Sequence, residues 1–270
     1  MRIIDKGQGP PLVLVPGLQG RWEYFYPAVE ALARAHRVIT FSLCDEPGWQ
    51  APTARESGLD RFVEQILAAL DDRGLTRAVI CGVSFGGVVA LRFAATRPDR
   101  VSALVVASTP GPGWHLKESH RRYVRSPLLS TPLFVAGVPG RLRREMAAAI
   151  PEPSARWALI GRLLALLVRA PLSPRRMAAR ARLIDGLDNI AECSRISAPT
   201  LLITGEAQLD HIVPSAATTG YASLIAGSHM TTLERTGHLG CITRPEAFAE
   251  AISDFLKNAD VTVRSGEHAA

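Results

Sequence analysis

Short runs of Val, Ile and Leu recur along the chain, and each is bounded by Gly, Pro or Ser. The clearest are "LVLVPG" (12–17), "RVITFSL" (37–43), "AVICG" (78–82), "SALVVAS" (102–108) and "TLLITG" (200–205). A weaker sixth run is "MTTLERTG" (230–237). Continuous apolar runs of this length are typical of strands that are buried on both faces, as in a parallel sheet. We therefore predict a parallel sheet built from these runs.

Amphipathic segments alternate with the apolar runs and indicate helices. They occupy residues 22–35, 59–74, 86–99 and 245–258. In the second segment, apolar positions recur every three or four residues along one helical face, and Gly74 ends the pattern. The alternation of strands and helices predicts an α/β fold with a doubly wound, mostly parallel sheet.

The alternation stops between residues 111 and 195. This segment contains eight prolines and short helical patterns, and no strand candidate of comparable quality. We predict that it forms a helical cap over the carboxyl edge of the sheet, where open α/β sheets bind ligands. The core domain then comprises residues 1–110 and 196–260, and residues 261–270 are predicted to be a disordered tail.

Composition narrows the class of protein. The chain has 270 residues, of which 47% are hydrophobic, so it can bury a large core and is not disordered over most of its length. No uninterrupted apolar stretch reaches the roughly 20 residues of a membrane span, and the first residues lack the apolar core of a signal peptide. Four scattered cysteines show no disulfide-framework spacing. We expect a cytoplasmic protein without stable membrane insertion, and the sequence does not indicate its oligomeric state.

Positive charge is concentrated in one block. Residues 115–182 contain 13 Arg and one Lys against three Glu, a net charge of +11, and the rest of the chain carries −5. The arginines alternate with Leu, Ala and Pro at helical spacing and lack aromatic stacking residues, so we expect no nucleic-acid partner. We interpret the block as solvated helical faces. An anionic substrate or a membrane surface is the alternative.

One serine stands where a strand pattern becomes a helix pattern. Ser84 lies between Gly82 and Gly86, after the run 78–82 and before the apolar segment 86–99, in the pattern G-x-S-x-G. A strand-to-helix turn of this kind presents a nucleophilic hydroxyl at the N-terminus of a helix. A serine hydroxyl needs a base that is held by a third group. Two later loops offer such groups: "TGEAQLDHIVP" (204–214) and "ERTGHLG" (234–240).

Taken together, "VLVPGLQG", "CGVSFGG", "LITGEAQLDHIVP" and "RTGHLG" resemble the α/β-hydrolase fold superfamily, in its capped esterase-like branch. The similarity covers residues 3–257. It implies that Ser84 is the nucleophile, His238 the base and Asp210 the orienting carboxylate, in the chain order of that superfamily. It also implies an oxyanion hole formed by the backbone N–H groups of Leu18 and Phe85. The implied activity is that of a serine hydrolase that cleaves a carboxylic ester or a related acyl compound through an acyl-enzyme.

Rival residues exist for two of these roles. Glu206 is chemically suited to replace Asp210 and lies nearer the strand end, but the D-x-x-V-P pattern of 210–214 matches the acid loop of the superfamily. His229 competes with His238, although its position before the weak strand suggests a surface location. Family members usually have His-Gly where this chain has Pro16 and Gly17.

Function also has alternatives. The same triad serves lactonases, C–C bond hydrolases and acyltransferases, and the fold also occurs in non-enzymatic small-molecule receptors. The seven histidines show no metal-ligand spacing, and no phosphate-binding glycine motif is present. We expect a small-molecule acyl substrate and neither metal nor cofactor.

Overall fold

The computed structural model describes residues 3–47 and 58–259. They form a seven-stranded sheet in the order β1-β3-β2-β4-β5-β6-β7. The strands are β1 (Ile3–Lys6), β2 (Pro11–Val15), β3 (Arg37–Phe41), β4 (Ala78–Val83), β5 (Val101–Ala107), β6 (Thr200–Gly205) and β7 (His229–Leu233). Strands β2 to β7 pair in parallel, and β1 pairs with β3 in antiparallel register at one edge. The predicted mostly parallel sheet is therefore confirmed, and the predicted tail 261–270 lies outside the described residues.

Helices cover both faces of the sheet. In chain order they are α1 (Tyr26–Leu32), α2 (Asp60–Asp72), α3 (Phe85–Thr96), α4 (Glu118–Arg125), α5 (Pro127–Ala136), α6 (Val138–Ala149), α7 (Pro153–Arg169), α8 (Pro174–Ile184), α9 (Ile190–Cys193), α10 (Ser215–Thr219), α11 (Gly240–Thr243) and α12 (Pro245–Asn258). The four amphipathic segments correspond to α1, α2, α3 and α12, the first of them beginning with a 3₁₀ turn at Trp22–Phe25. Two further 3₁₀ turns are Pro98–Arg100 and Gly220–Ser223.

The core has two layers, one on each face of the sheet. Side chains of α2 and α3 pack on one face, and side chains of α1 and α12 pack on the other. Every residue of β2, β4, β5 and β6 is buried. Burial on both faces explains why these strands read as continuous apolar runs rather than as alternating patterns.

Helices α4 to α9 lie in the segment 111–195, for which we keep the name cap. The cap contacts the core at several points: α8 packs against α3, and the Tyr24 hydroxyl donates a hydrogen bond to the carbonyl of Ala170 at 3.0 Å. In the described part of the chain, no single helix is long and apolar enough to cross a membrane. Helices α7 and α8 reach that length and composition only as a pair, with a bend of 102° between them.

Candidate active site

Ser84 occupies a strained turn between β4 and α3. Its backbone angles are φ 55° and ψ −119°, a conformation that is rare outside glycine and costs about 1–3 kcal/mol. Hydrogen bonds hold the turn in place: the Ser84 amide donates to the carbonyl of Ala107 at 2.8 Å, and the Ser84 carbonyl accepts from the amide of Gly87 at 2.9 Å. The side chain is thereby fixed at the N-terminus of α3, at the carboxyl edge of the sheet.

Two glycines allow this turn to pack backbone against backbone. A Cβ atom added to Gly82 would overlap the carbonyl of Gly86. A Cβ atom on Gly86 would overlap the carbonyls of Val15 and Pro16 at the end of β2. The glycines of the G-x-S-x-G pattern are therefore required by close approach, because no side chain fits at either position.

The structure brings the three predicted side chains together. His238 lies in the loop between β7 and α11, and its Nε2 atom is 3.2 Å from Ser84 Oγ. Its Nδ1 atom is 3.3 Å from Oδ2 of Asp210, which follows β6. The other carboxylate oxygen, Oδ1, accepts hydrogen bonds from the amides of Ile212 and Val213, both at 2.9 Å. A continuous chain of hydrogen-bonding groups thus runs from the carboxylate to the serine hydroxyl.

The environment of Asp210 favours its charged form. Burial by itself raises the pKa of the carboxyl, but the hydrogen bond and charge of His238 and the two backbone amides lower it more. The net result is a pKa below the ordinary value of 3.8. Asp210 is consequently a carboxylate at neutral pH, as the orientation of an imidazole N–H requires.

The two rival residues lie elsewhere. The carboxylate of Glu206 accepts hydrogen bonds from the amide of Arg235, at 2.6 Å, and from the side-chain amide of Gln208, and neither donor is the imidazole of His238. His229 is an exposed residue of the edge strand β7, with its ring 5.6 Å from that of Phe255. Asp210 and His238, and not these two rivals, are therefore the residues that the structure connects to Ser84.

Two backbone amides beside Ser84 have no hydrogen-bond acceptor among the described residues. Leu18 follows β2 in a loop that passes next to Ser84, since a Cβ atom on Gly17 would lie 3.4 Å from Ser84 Cβ. Phe85 is the first residue of α3. In the hydrogen-bond pattern of the described residues, neither the Leu18 nor the Phe85 amide is a donor. Both N–H groups are free to bind a developing negative charge.

Arg180, on cap helix α8, is a buried residue of the site that the sequence did not reveal. Its guanidinium has no solvent exposure and pairs with Asp45 and Glu46 at distances of 2.5 and 2.6 Å. It also donates to the carbonyl of Leu18 at 2.8 Å. Gly20, at φ +71°, leaves room for the guanidinium, which a Cβ atom there would overlap. Arg180 thus fixes the loop that carries the Leu18 amide.

Glu145, on cap helix α6, is the second such residue. Its side chain is buried, and Oε1 accepts hydrogen bonds from the amides of Gly237 and Leu239 at 2.9 and 2.7 Å. The hydroxyl of Thr236 donates to the same oxygen at 3.0 Å. These donors come from residues on both sides of His238. A single carboxylate therefore holds the loop that carries the imidazole.

Side chains of the types that bind metals are dispersed in the described part of the chain. Its His, Cys, Asp and Glu side chains form no group of three or more that is placed to bind a metal ion. All four cysteines are free thiols. Cys241, three residues beyond His238, is buried, and this burial raises the pKa of its thiol to about 12. It remains protonated at neutral pH and packs as a small apolar side chain.

Sequence comparison relates most of the chain to one family. A sequence model of the alpha/beta hydrolase family matches residues 12–251. The chain is 29% identical to part of the polyketide synthase ThaQ of Burkholderia thailandensis, over 98% of this chain but 12% of that protein. It is 27% identical to the pimeloyl-[acyl-carrier protein] methyl ester esterase of Aliivibrio salmonicida, over 94% and 95% of the two chains. It is 24% identical to the 2-hydroxymuconate semialdehyde hydrolase of Pseudomonas sp. (strain CF600), over 97% and 92%.

Structural comparison finds the same fold in solved hydrolases. A thermophilic esterase from Thermogutta terrifontis superimposes with a TM-score of 0.76 and 23% identity, over 95% of this chain and 93% of that chain. At this identity the likeness shows the fold alone. The family match, by contrast, spans most of the sequence. The methyl ester esterase and the semialdehyde hydrolase are both hydrolases, and the chain matches each over nearly its whole length. The protein is therefore a hydrolase of the alpha/beta hydrolase family.

Proposed function

We propose that the protein is a serine hydrolase that cleaves a carboxylic ester, or a related acyl compound, of a small molecule. The observation that carries the proposal is the hydrogen-bonded chain from Asp210 through His238 to a serine held at positive φ. A relative named as a methyl ester esterase, matched over nearly its whole length, supports an ester as the substrate class.

The proposed reaction has two halves that use the same groups. His238 Nε2 takes the proton of Ser84 Oγ as this oxygen attacks the carbonyl carbon, and the amides of Leu18 and Phe85 bind the resulting oxyanion. The imidazolium then protonates the leaving alcohol, which departs and leaves an acyl-serine. Water attacks the acyl-serine with His238 again as base, and the carboxylic acid is released. Asp210 keeps the imidazole oriented and stabilises its charged form.

The cellular setting and the domain division are part of the same proposal. Four free thiols fit a reducing compartment, so we place the enzyme in the cytoplasm. The helices of residues 111–195 interrupt the core formed by 1–110 and 196–260, and two of them contact the loops that carry the site. We infer that this segment acts as the cap of the active site.

Labelling by a fluorophosphonate probe tests the nucleophile directly. The wild-type protein is expected to react covalently at Ser84, whereas Ser84→Ala is expected to remain unlabelled and to lose on the order of 10⁶ in kcat on an aryl ester. Circular dichroism of the variant controls for folding. Labelling of Ser84→Ala, or turnover at the wild-type rate, would contradict the assignment.

A matched pair of variants tests the acid. Asp210→Asn is expected to lower kcat by on the order of 10⁴, because it stabilises the wrong imidazole tautomer. Glu206→Gln, four residues earlier in the same loop, is the control and is expected to leave kcat nearly unchanged. The reverse ranking would transfer the role to Glu206.

The reaction class is tested by its products. Aryl esters of increasing acyl length, assayed with water and with an added alcohol as competing acceptors, separate hydrolysis from acyl transfer. Lactones and C–C bond substrates in the same assay test the two other uses of the triad. Substrate binding without turnover by a protein that the probe does not label would favour the receptor alternative.

A further inference from the structure

Exposed apolar side chains are concentrated on the cap. Ten large hydrophobic residues are exposed in the described part of the chain, and seven of them lie on two cap helices, α5 and α7. The seven are Leu128, Leu129, Leu133, Trp157, Leu164, Leu167 and Val168. Of the other three, Tyr26 and Met230 lie in the core, and Ile190 lies on cap helix α9. Single exposed apolar residues need no explanation, but a group on one segment marks an interaction surface.

Helix α7 has apolar residues on two opposite sides. The side that packs against the core carries Leu159, Leu163 and Leu166. At about 100° per residue, Trp157, Leu164 and Val168 fall together on the opposite side. These three side chains are 71%, 59% and 84% exposed. The outer side of α7 is therefore a solvent-facing apolar stripe, which we call the outer stripe.

Positive charge lies on one flank of the outer stripe and does not interrupt it. Arg162 and Arg169 are exposed on one flank of α7, and within the described residues neither forms an ion pair. Of the three glutamates in the basic block, Glu145 is buried against the histidine loop. Arg180 is buried as well, so these two opposite charges offset each other, and the net charge of +11 over residues 115–182 is carried by the remaining side chains.

We propose that the cap docks on an anionic lipid surface, with the outer stripe of α7 in the boundary between headgroups and acyl chains. A helix that presents Trp, Leu and Val to one side, with arginines at the flank, has the character of an interfacial helix lying in the membrane plane. The arginines meet the lipid phosphates, and the apolar stems of the long side chains remain in contact with the stripe. This arrangement requires no membrane span.

Two other occupants fit the surface less well. A second copy of the chain would place two strongly cationic caps against each other. An acidic protein would need cationic side chains within the patch, whereas the middle of the outer stripe carries only Gly161 and Leu164. The combination of an uncharged stripe and a basic flank favours lipid. The proposal does not depend on the chemistry at Ser84.

Vesicle sedimentation with the full chain tests the proposal. We expect binding to phosphatidylcholine vesicles that contain phosphatidylglycerol, weaker by about tenfold or more on pure phosphatidylcholine or in high salt, because the arginine contacts are screened. Trp157→Ser/Val168→Ser is expected to reduce binding to the anionic vesicles by about tenfold or more. The control, Ile190→Ser/Met230→Ser, removes two exposed apolar residues outside the two helices and is expected to bind like the wild type.

Quenching of Trp fluorescence by brominated lipids locates the contact. We expect quenching in the wild type and its loss in Trp157→Phe, a variant that keeps an aromatic side chain at the position. Absence of vesicle binding, or equal binding by the stripe variant and the wild type, would overturn the proposal. So would a dimer in analytical ultracentrifugation that the stripe variant abolishes, because the stripe would then be an interface between two copies.

Discussion

Glu145→Ala is expected to destabilise the protein by about 2–6 kcal/mol. The substitution leaves two buried amides, those of Gly237 and Leu239, without their acceptor, and each unsatisfied buried donor costs about 1–3 kcal/mol. The Thr236 hydroxyl keeps a second partner in Thr243 at 2.8 Å and adds little. A typical domain has about 5–15 kcal/mol of stability, so the loss is large enough to measure by urea unfolding.

Activity is expected to fall further than stability accounts for. The two amides lie on either side of His238. Loss of their acceptor therefore allows the His238 loop to shift and changes the 3.2 Å contact between His238 and Ser84. A displacement of about 1 Å at such a contact costs on the order of 10²-fold in rate. We expect the loss in kcat on an aryl ester, with KM little changed, because Glu145 positions the base and does not touch the substrate.

Two further variants make the result interpretable. Glu145→Gln retains an acceptor oxygen and is expected to lose about 1 kcal/mol per hydrogen bond at most, since neutral acceptors are weaker than charged ones. It keeps the test valid if the alanine variant does not fold. Glu118→Ala removes an exposed cap carboxylate whose ion pair with Arg122 is 3.9 Å long. This variant should change neither the free energy of unfolding nor kcat. The reasoning is refuted if Glu145→Ala and Glu118→Ala have the same unfolding midpoint and the same kcat.

Three other predictions follow from buried groups. Arg180→Met is expected to lower the free energy of unfolding by about 3–5 kcal/mol, because it leaves buried carboxylates without their main cation. The double variant Arg180→Met/Glu46→Gln should regain stability in urea unfolding. It should not regain kcat, since the Leu18 carbonyl still lacks its donor. Burial, aided by the charge of Lys257, lowers the pKa of His36 below 6.5, so the neutral form stabilises the fold fully above pH 6.5. This contribution is lost as pH falls below 6.5, by at most about 1.4 kcal/mol per pH unit, and urea midpoints between pH 7.5 and 5 should fall less steeply in His36→Gln. Iodoacetamide at pH 8 should leave the native enzyme active, because the Cys241 thiol is buried with a pKa of about 12; rapid inactivation that Cys241→Ala prevents would contradict this.

The sequence predicted the buried strands well because burial on both faces leaves a strong signal. The runs beginning at residues 12, 37, 78, 102 and 200 each overlap a strand of the sheet. Strand β1 escaped prediction because only four residues form it, none of them fully buried, and it pairs only with β3 at the edge. Edge strands carry no continuous apolar pattern, so only the pairing partner reveals them.

The three side chains that the structure brings together were predictable because each stands beside a local signal. Ser84 has flanking glycines, and Asp210 and His238 follow the ends of apolar runs. Glu145 and Arg180 have no such signal, since each is one charged residue among many in a basic helical segment. What distinguishes them is a contact with loops 91 or more positions away in the chain. Helical periodicity reports which side of a helix is apolar, but it does not report what a single charged side chain meets after folding.

These two contacts also connect the cap to the chemistry. The guanidinium of Arg180 holds the loop of the proposed oxyanion amide through the Leu18 carbonyl, and the carboxylate of Glu145 holds the loop of His238 through two amides. Charged side chains rarely become fully buried unless they are paired, and each of these finds its partners only when the cap lies against the core. Folding of the cap and alignment of the site are therefore coupled through the same hydrogen bonds. It follows that substitutions in the cap are expected to alter kcat without any contact with the substrate, because they act on the backbone that carries the proposed oxyanion amide and the proposed base.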